Sequence, residues 1–226
     1  MKPHLPAPRL VTRKATRLAT RLATRLALTA CLLTAVTACA PLIVGGAVIG
    51  SGLVATDRRT TGAQVEDQGI ELKAASRVRE LATLGNVNVN SYNRLLLVTG
   101  EVPSQTEKTA VGSALARIEN VRSVVNELGI GQNASLGSRS TDSLIQAKVK
   151  AALVDTKDVQ ANAYKVVSER GIVHLMGRVT EREAVRGAEV ARVVGGVQKV
   201  VRVFEILSED ELAALGKTAP AKPAAP

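Results

Sequence analysis

The sequence predicts an α+β fold made of two tandem copies of one unit, each a small sheet packed against two helices in the order α-β-β-α-β. Three observations carry this. Arg94–Pro103 (RLLLVTGEVP) matches Gly171–Thr180 (GIVHLMGRVT) when Gly100 is laid on Gly177, an offset of 77 residues. Ile118–Asn126 (IENVRSVVN) matches Val194–Arg202 (VGGVQKVVR) at an offset of 76. In both copies a β-branched run is followed by a charged segment with helical spacing, so the repeat is one of structure as well as of letters.

The elements follow in chain order. Residues 1–38 are set apart by charge, because seven of the thirty Lys and Arg (Lys2, Arg9, Arg13, Lys14, Arg17, Arg21, Arg25) and no Asp or Glu precede Cys39. The thrice-repeated tetrad Ala15-Thr16-Arg17-Leu18 leads into an apolar run, Leu26–Ala38, that stops at Cys39. A basic region, a short apolar core and a small-residue end describe an export signal. A membrane-spanning helix needs about 20 apolar residues, more than this run supplies. An amphipathic, Arg-rich transit peptide is the alternative for the tetrads. Residues 39–65 are read as a tether, with the Gly-rich apolar stretch Leu42–Ala55 either flexible beside the membrane or packed on the first copy.

Copy one spans 66–130: helix 70–84, strands 86–92 and 94–100, helix 104–119, strand 121–128. A linker at 131–139 leads to copy two, 140–207. There Ser140-Thr141-Asp142 offers an N-cap, and Ile145, Val149, Ala152 and Leu153 recur at helical spacing. Val159–Val167 and Ile172–Met176 are strands joined by a turn whose Gly171 supplies a positive φ. Thr180-Glu181-Arg182-Glu183 reads as a capping box that starts helix 181–194, Gly195-Gly196 stops it, and Val197–Ile206 returns as a strand. After 208 the chain is expected to be a disordered tail, with a short helical end over 209–215 before the Ala/Pro-rich Thr218–Pro226.

Composition excludes most chemistry. The 226 residues contain two histidines, two cysteines and three aromatic rings (Tyr92, Tyr164, Phe204). With His4 and Cys31 in the leader, no His- or Cys-built metal or catalytic site can be assembled, and neither catalytic residues nor a cofactor are assigned. So few rings also argue against the stacking platforms of single-stranded nucleic-acid binders, so nucleic acid is not an expected partner. The formal charge of +10 falls to +3 once the leader is removed, 23 basic against 20 acidic residues. His174 reads as a core or sheet-face histidine, and Glu181 and Glu183 as a helix start rather than an acid/base pair.

Val36-Thr37-Ala38-Cys39 resembles the bacterial lipobox, in which the cysteine is acylated and becomes the first residue of the mature chain. Ala40 and Pro41, rather than an Asp, follow it, which under lipoprotein sorting implies the outer membrane, inner leaflet, facing the periplasm. The order of elements, Gly100 and Gly177, and the closing valine pattern resemble the BON domain. Two copies behind a lipobox are similar to dual-BON outer-membrane lipoproteins, division and outer-membrane stress-associated lipid-binding proteins. Ala55-Thr56-Asp57-Arg58-Arg59, Gln64-Val65-Glu66-Asp67 and His174–Ala184 carry the likeness further. It implies no catalysis. It implies binding of anionic phospholipid through the second copy, a role in outer-membrane integrity, and enrichment at division sites.

The residues permit that reading independently. Residues 66–130 hold 7 basic and 8 acidic side chains, whereas 140–207 hold 11 and 8, so the second copy is the one an anionic surface attracts. On its first helix Leu144 lies off the core stripe, beside Ala147, Lys148 and Ala151, and these four are the candidate phospholipid-binding residues. An ordinary solvated face with one stray leucine is the alternative. A second function class, an envelope protein-interaction adaptor or chaperone that recruits protein partners by strand addition, stays open beside the lipid reading.

Overall fold

The computed structural model describes residues 57–81 and 85–218. The leader 1–38, Cys39, Leu42–Ala55 and the tail 219–226 lie outside the described residues. In order the elements are α1 (Thr61–Glu80), β1 (Asn86–Tyr92), β2 (Leu95–Val102), α2 (Gln105–Leu115), β3 (Ser123–Asn126), β4 (Gly129–Ile130), α3 (Leu136–Asp155), a 3-10 turn (Ala161–Ala163), β5 (Tyr164–Glu169), β6 (Ile172–Thr180), α4 (Glu181–Arg192), β7 (Lys199–Leu207) and α5 (Glu209–Thr218). The expected α-β-β-α-β unit occurs twice.

Each repeat builds its sheet the same way. An antiparallel hairpin, β1 with β2 or β5 with β6, is joined by a parallel strand after the second helix, β3 along β2 and β7 along β6. Repeat one adds β4, which continues along the end of β2. Alternation along β2 sends Leu96, Val98 and Val102 into a core with Ile70, Val111 and Leu115 of the helices. Along β6, Val173, Leu175 and Val179 meet Ile145, Val149 and Ala188 in the second core. The other faces of the two sheets pack on each other through Tyr92, Leu97, Val167, Met176 and Val203, a third apolar cluster shared by both repeats.

Gly100 and Gly177 are glycines because the hairpin partner's backbone crosses where a side chain would stand. A Cβ on Gly100, whose φ is +110°, would lie 1.9 Å from the carbonyl oxygen of Asn86. One on Gly177 would lie 2.2 Å from that of Ala163.

Several expected boundaries move. Helix α1 begins at Thr61, not 70, with the Thr60 hydroxyl accepting from Ala63 N–H, so it takes in residues assigned to the tether. Helix α3 begins at Leu136 with Ser135 as its cap, taking in the end of the linker 131–139. The first turns of both helices face solvent and carry no apolar periodicity, so the pattern began only where the core does. Asp142 is correspondingly not an N-cap. It lies on the inner face of α3, in line with Ile145, Val149 and Leu153. The expected strand 159–167 starts only at Tyr164, behind the 3-10 turn. The tail is helical over Glu209–Thr218, where three acidic residues fill the first turn and Ser208 exchanges hydrogen bonds with Glu211.

Candidate functional site

What positions α3 is the buried carboxylate of Asp142. One oxygen accepts from the Ser168 hydroxyl at 2.9 Å and Gly171 N–H at 2.8 Å, the other from Arg170 N–H at 2.8 Å. The turn between β5 and β6 has both central residues at positive φ, Arg170 at 53° and Gly171 at 74°, and its amide groups point at the helix. Repeat one repeats the device: Asp67 accepts from the Ser91 hydroxyl and from Asn93 and Arg94 N–H, with Arg59 added at 2.8 Å. These bonds lower the Asp67 carboxyl below its ordinary range against the opposing effect of burial.

With its inner face fixed, the outer face of α3 is determined. At 3.6 residues per turn, Leu136, Ser140, Leu144, Ala147, Ala151 and Val154 fall within an arc of roughly 80°, on the side away from Asp142, Ile145, Val149 and Leu153. Leu136 is 80% exposed, Leu144 61% and Val154 63%, and Ala147 and Ala151 are exposed between them. Exposed Lys148 borders the stripe on one side. On the other, Lys150 turns back to donate to the carbonyls of Ala161 and Tyr164, and burial lowers its pKa. The four residues named from sequence therefore do share an exposed face. Leu136 lies before the expected start of the helix, whereas Val154 lies beside the core residue Leu153 and three residues after Ala151; together they lengthen the face to the whole helix, and the spacing 136, 144, 147, 151, 154 was the available signal.

Helix α4 packs beside α3 on the same face of the sheet. Thr180 and Glu183 form the expected capping box, with Thr180 N–H donating to the Glu183 carboxylate at 2.9 Å and Glu183 N–H to the Thr180 hydroxyl. Sequence did not indicate that the same carboxylate pairs bidentately with Arg58, both bonds 2.7 Å, which holds it below the usual carboxylate range despite burial. The outer side of α4 exposes Arg182, Arg186 and Arg192. His174 is a buried sheet-face residue, its Nε2 4.0 Å from a Glu127 oxygen, and burial lowers its pKa. Among the described residues no group of three or more His, Cys, Asp or Glu is placed to hold a metal ion, and no helix is long and apolar enough to cross a membrane.

Comparison with known proteins agrees with this duplicated architecture. The BON domain family model matches residues 67–132 and again 141–208. The chain is similar to the outer membrane lipoprotein DolP of Haemophilus influenzae, 36% identical over 172 residues, 75% of this chain and 89% of that one. It is 34% identical over 151 residues to the 21 kDa hemolysin of Actinobacillus pleuropneumoniae, covering 66% and 78% of the two chains. Over 101 residues it is 37% identical to the osmotically-inducible protein Y of Escherichia coli, covering 42% and 49%.

Proposed function

Since the chain belongs to the BON-domain family, both of its repeats matching the family model, we propose that it is an outer-membrane lipoprotein facing the periplasm, whose second repeat binds anionic phospholipid and supports outer-membrane integrity, including at division sites. Its anchor in this reading is acylated Cys39. A single acyl chain binds membranes only marginally, so the two or three chains of a bacterial lipoprotein supply the attachment. The short apolar stretch after the cysteine does not.

The observation that carries the lipid reading is the outer face of α3: an apolar stripe the length of the helix, opposite the core, with Lys148 at its border. Inserting Leu136, Leu144 and Val154 into a bilayer interface would gain up to about 1.5–3 kcal/mol for each side chain fully removed from water. A lysine at an anionic surface adds about 1 kcal/mol, screened over the Debye length. The two terms together favour an amphipathic helix lying in the headgroup region.

Flotation of residues 56–226, which contain every described element but not the anchor, tests this on neutral and anionic vesicles. The fragment is expected to float with anionic vesicles, less so as salt rises, and Leu144→Glu is expected to abolish flotation. Lys148→Glu is expected to weaken it more than Arg117→Glu on the exposed side of repeat one. Equal binding to neutral vesicles, or binding untouched by the α3 substitutions, would favour the protein-adaptor reading instead.

A further inference from the structure

We propose that Asp57–Thr60 is a latch that holds the two repeats closed on each other across an interface built to open. Two adjacent arginines reach in opposite directions. Arg58 forks onto Glu183 of α4 in repeat two, donates to the Arg178 carbonyl at 2.8 Å, and its own carbonyl accepts from the Arg178 guanidinium at 3.0 Å. Arg59 bonds Asp67 of repeat one and lies over the Tyr92 ring, 4.2 Å from its centre. One arginine per repeat, on neighbouring residues, ties the seam from outside.

The bidentate, charge-assisted geometry makes this the strongest kind of side-chain contact available. The Arg58 and Glu183 side chains are only 7% and 10% exposed. The other ion pairs between the repeats each include a partner exposed to at least 30%: Lys165 with Glu71, Arg122 with Glu205, Arg170 with Glu101, and His174 with Glu127. Water competes with those pairs far more than with the strap.

The seam itself is poorly satisfied. Thr99 Oγ1 is a buried side-chain oxygen with no hydrogen-bond partner on the protein among the described residues, and Glu101 and His174 meet their cross-seam partners Arg170 and Glu127 only at 3.6 Å and 4.0 Å, beyond hydrogen-bond distance. All belong to residues on the sheet faces that the repeats turn toward each other. The separate cores of the repeats contain no such atom. Each of these groups gives up water on closing for at most a long ionic contact, so the penalty falls on the closed arrangement and not on the folding of either repeat. A cleft of about 680 Å³ between β1 and β5, lined by Asn88, Asn90, Thr99, Lys165, Val167 and Glu169, already leads into the seam.

Opening would expose the apolar strip of Tyr92, Leu97, Met176 and Val203 while leaving both helical cores packed. The strap begins 18 residues after Cys39. On the reading of Cys39 as a lipid anchor, a pull on the anchor reaches the latch before either repeat; the latch itself does not depend on that reading.

Met176 is a built-in reporter, since the chain's other methionine is Met1. It faces the seam, whereas its neighbour Leu175 faces repeat two's own core. The experiment is peroxide oxidation of the full chain, read at each methionine by peptide mass spectrometry, because sulfoxide formation follows access to the sulfur. Replacing Arg58 and Arg59 by alanine is expected to speed oxidation of Met176 at least tenfold. In the same background the sulfur introduced by Leu175→Met is expected to stay as protected as before. Unchanged oxidation of Met176 would overturn the latch, and so would equal acceleration at both positions, which reports unfolding of repeat two rather than opening of the seam.

Discussion

Removing the Asp142 carboxylate should cost more stability than any other polar substitution in repeat two. Asp142→Ala deletes three hydrogen bonds and strands the Arg170 and Gly171 amides against a helix. Hydrogen bonds to a charged acceptor contribute about 1.5–3 kcal/mol each, and each buried donor left unpaired costs about 1–3 kcal/mol. These contributions overlap, so we expect a net loss of about 3–5 kcal/mol. For the two repeats melting together, 1 kcal/mol moves the midpoint by about 2–4 °C, so Tm should fall by roughly 6–20 °C. Thermal and urea melts followed by circular dichroism measure it. Because the same carboxylate fixes which face of α3 points outward, vesicle flotation should weaken at temperatures where the variant is still folded. A loss below about 1 kcal/mol, or unaltered flotation, would mean that core packing alone orients α3 and would refute the role assigned to the aspartate.

Leu136→Glu and Val154→Glu should each reduce flotation while moving stability by no more than about 0.5 kcal/mol, since both side chains are exposed; a large fall in Tm would show that the stripe is structural. Gly187→Ala should destabilise by about 1–3 kcal/mol, because its Cβ would lie 2.5 Å from the Tyr164 ring, itself held by its hydroxyl bond to the Glu183 carbonyl; an unchanged urea midpoint would contradict that fit. Stability should fall with pH in two stages. His174 has a folded pKa below its ordinary 6.5, and Asp67, Glu183 and Glu205 lie below their ordinary 3.8 and 4.5. In every case the unfolded chain takes up protons first, so stability is complete above the ordinary value and is lost as pH drops from there toward the folded one. Urea melts of His174→Leu should lack the stage that begins near pH 6.5, and persistence of that stage would assign it elsewhere.

The repeat was legible because its markers are local. A glycine forced by a crossing backbone, a capping box and a β-branched run each leave a mark at a fixed place in the chain. The part played by Asp142 was not legible for the opposite reason. An acidic residue near a helix start looks like a cap, and only the folded chain shows Asp142 reaching a turn 28 and 29 residues away. A signal was present all the same: an aspartate recurs at 67 and 142, and a serine at 91 and 168, in both copies. The strap had no such signal, since Arg58 finds Glu183 across 125 residues and the contact has no counterpart in the repeat. Lys108 on α2 is half-buried and donates to the Leu128 carbonyl at 2.6 Å, so charge reversal there would test folding and not surface charge.

Duplication explains why a helical face remains outward for the proposed membrane contact. A three-stranded sheet with two helices covers one face and leaves the other apolar, and here each copy covers the other's. What remains outward is the helices of each repeat, and these have diverged. Helix α1 exposes Val65 and Leu72 with Gly69 between them and half-buried Glu66 alongside, in a repeat of net charge −1. Helix α3 exposes two leucines, a valine and two alanines in one line, bordered by Lys148, in a repeat of net charge +3. On the proposed lipid reading, an anionic interface would select between those surfaces by both apolar area and charge, and the two criteria point to the same helix. The first repeat then supports the second by burying the other face of its sheet, while Arg58, just ahead of α1, holds the start of α4 in place beside α3.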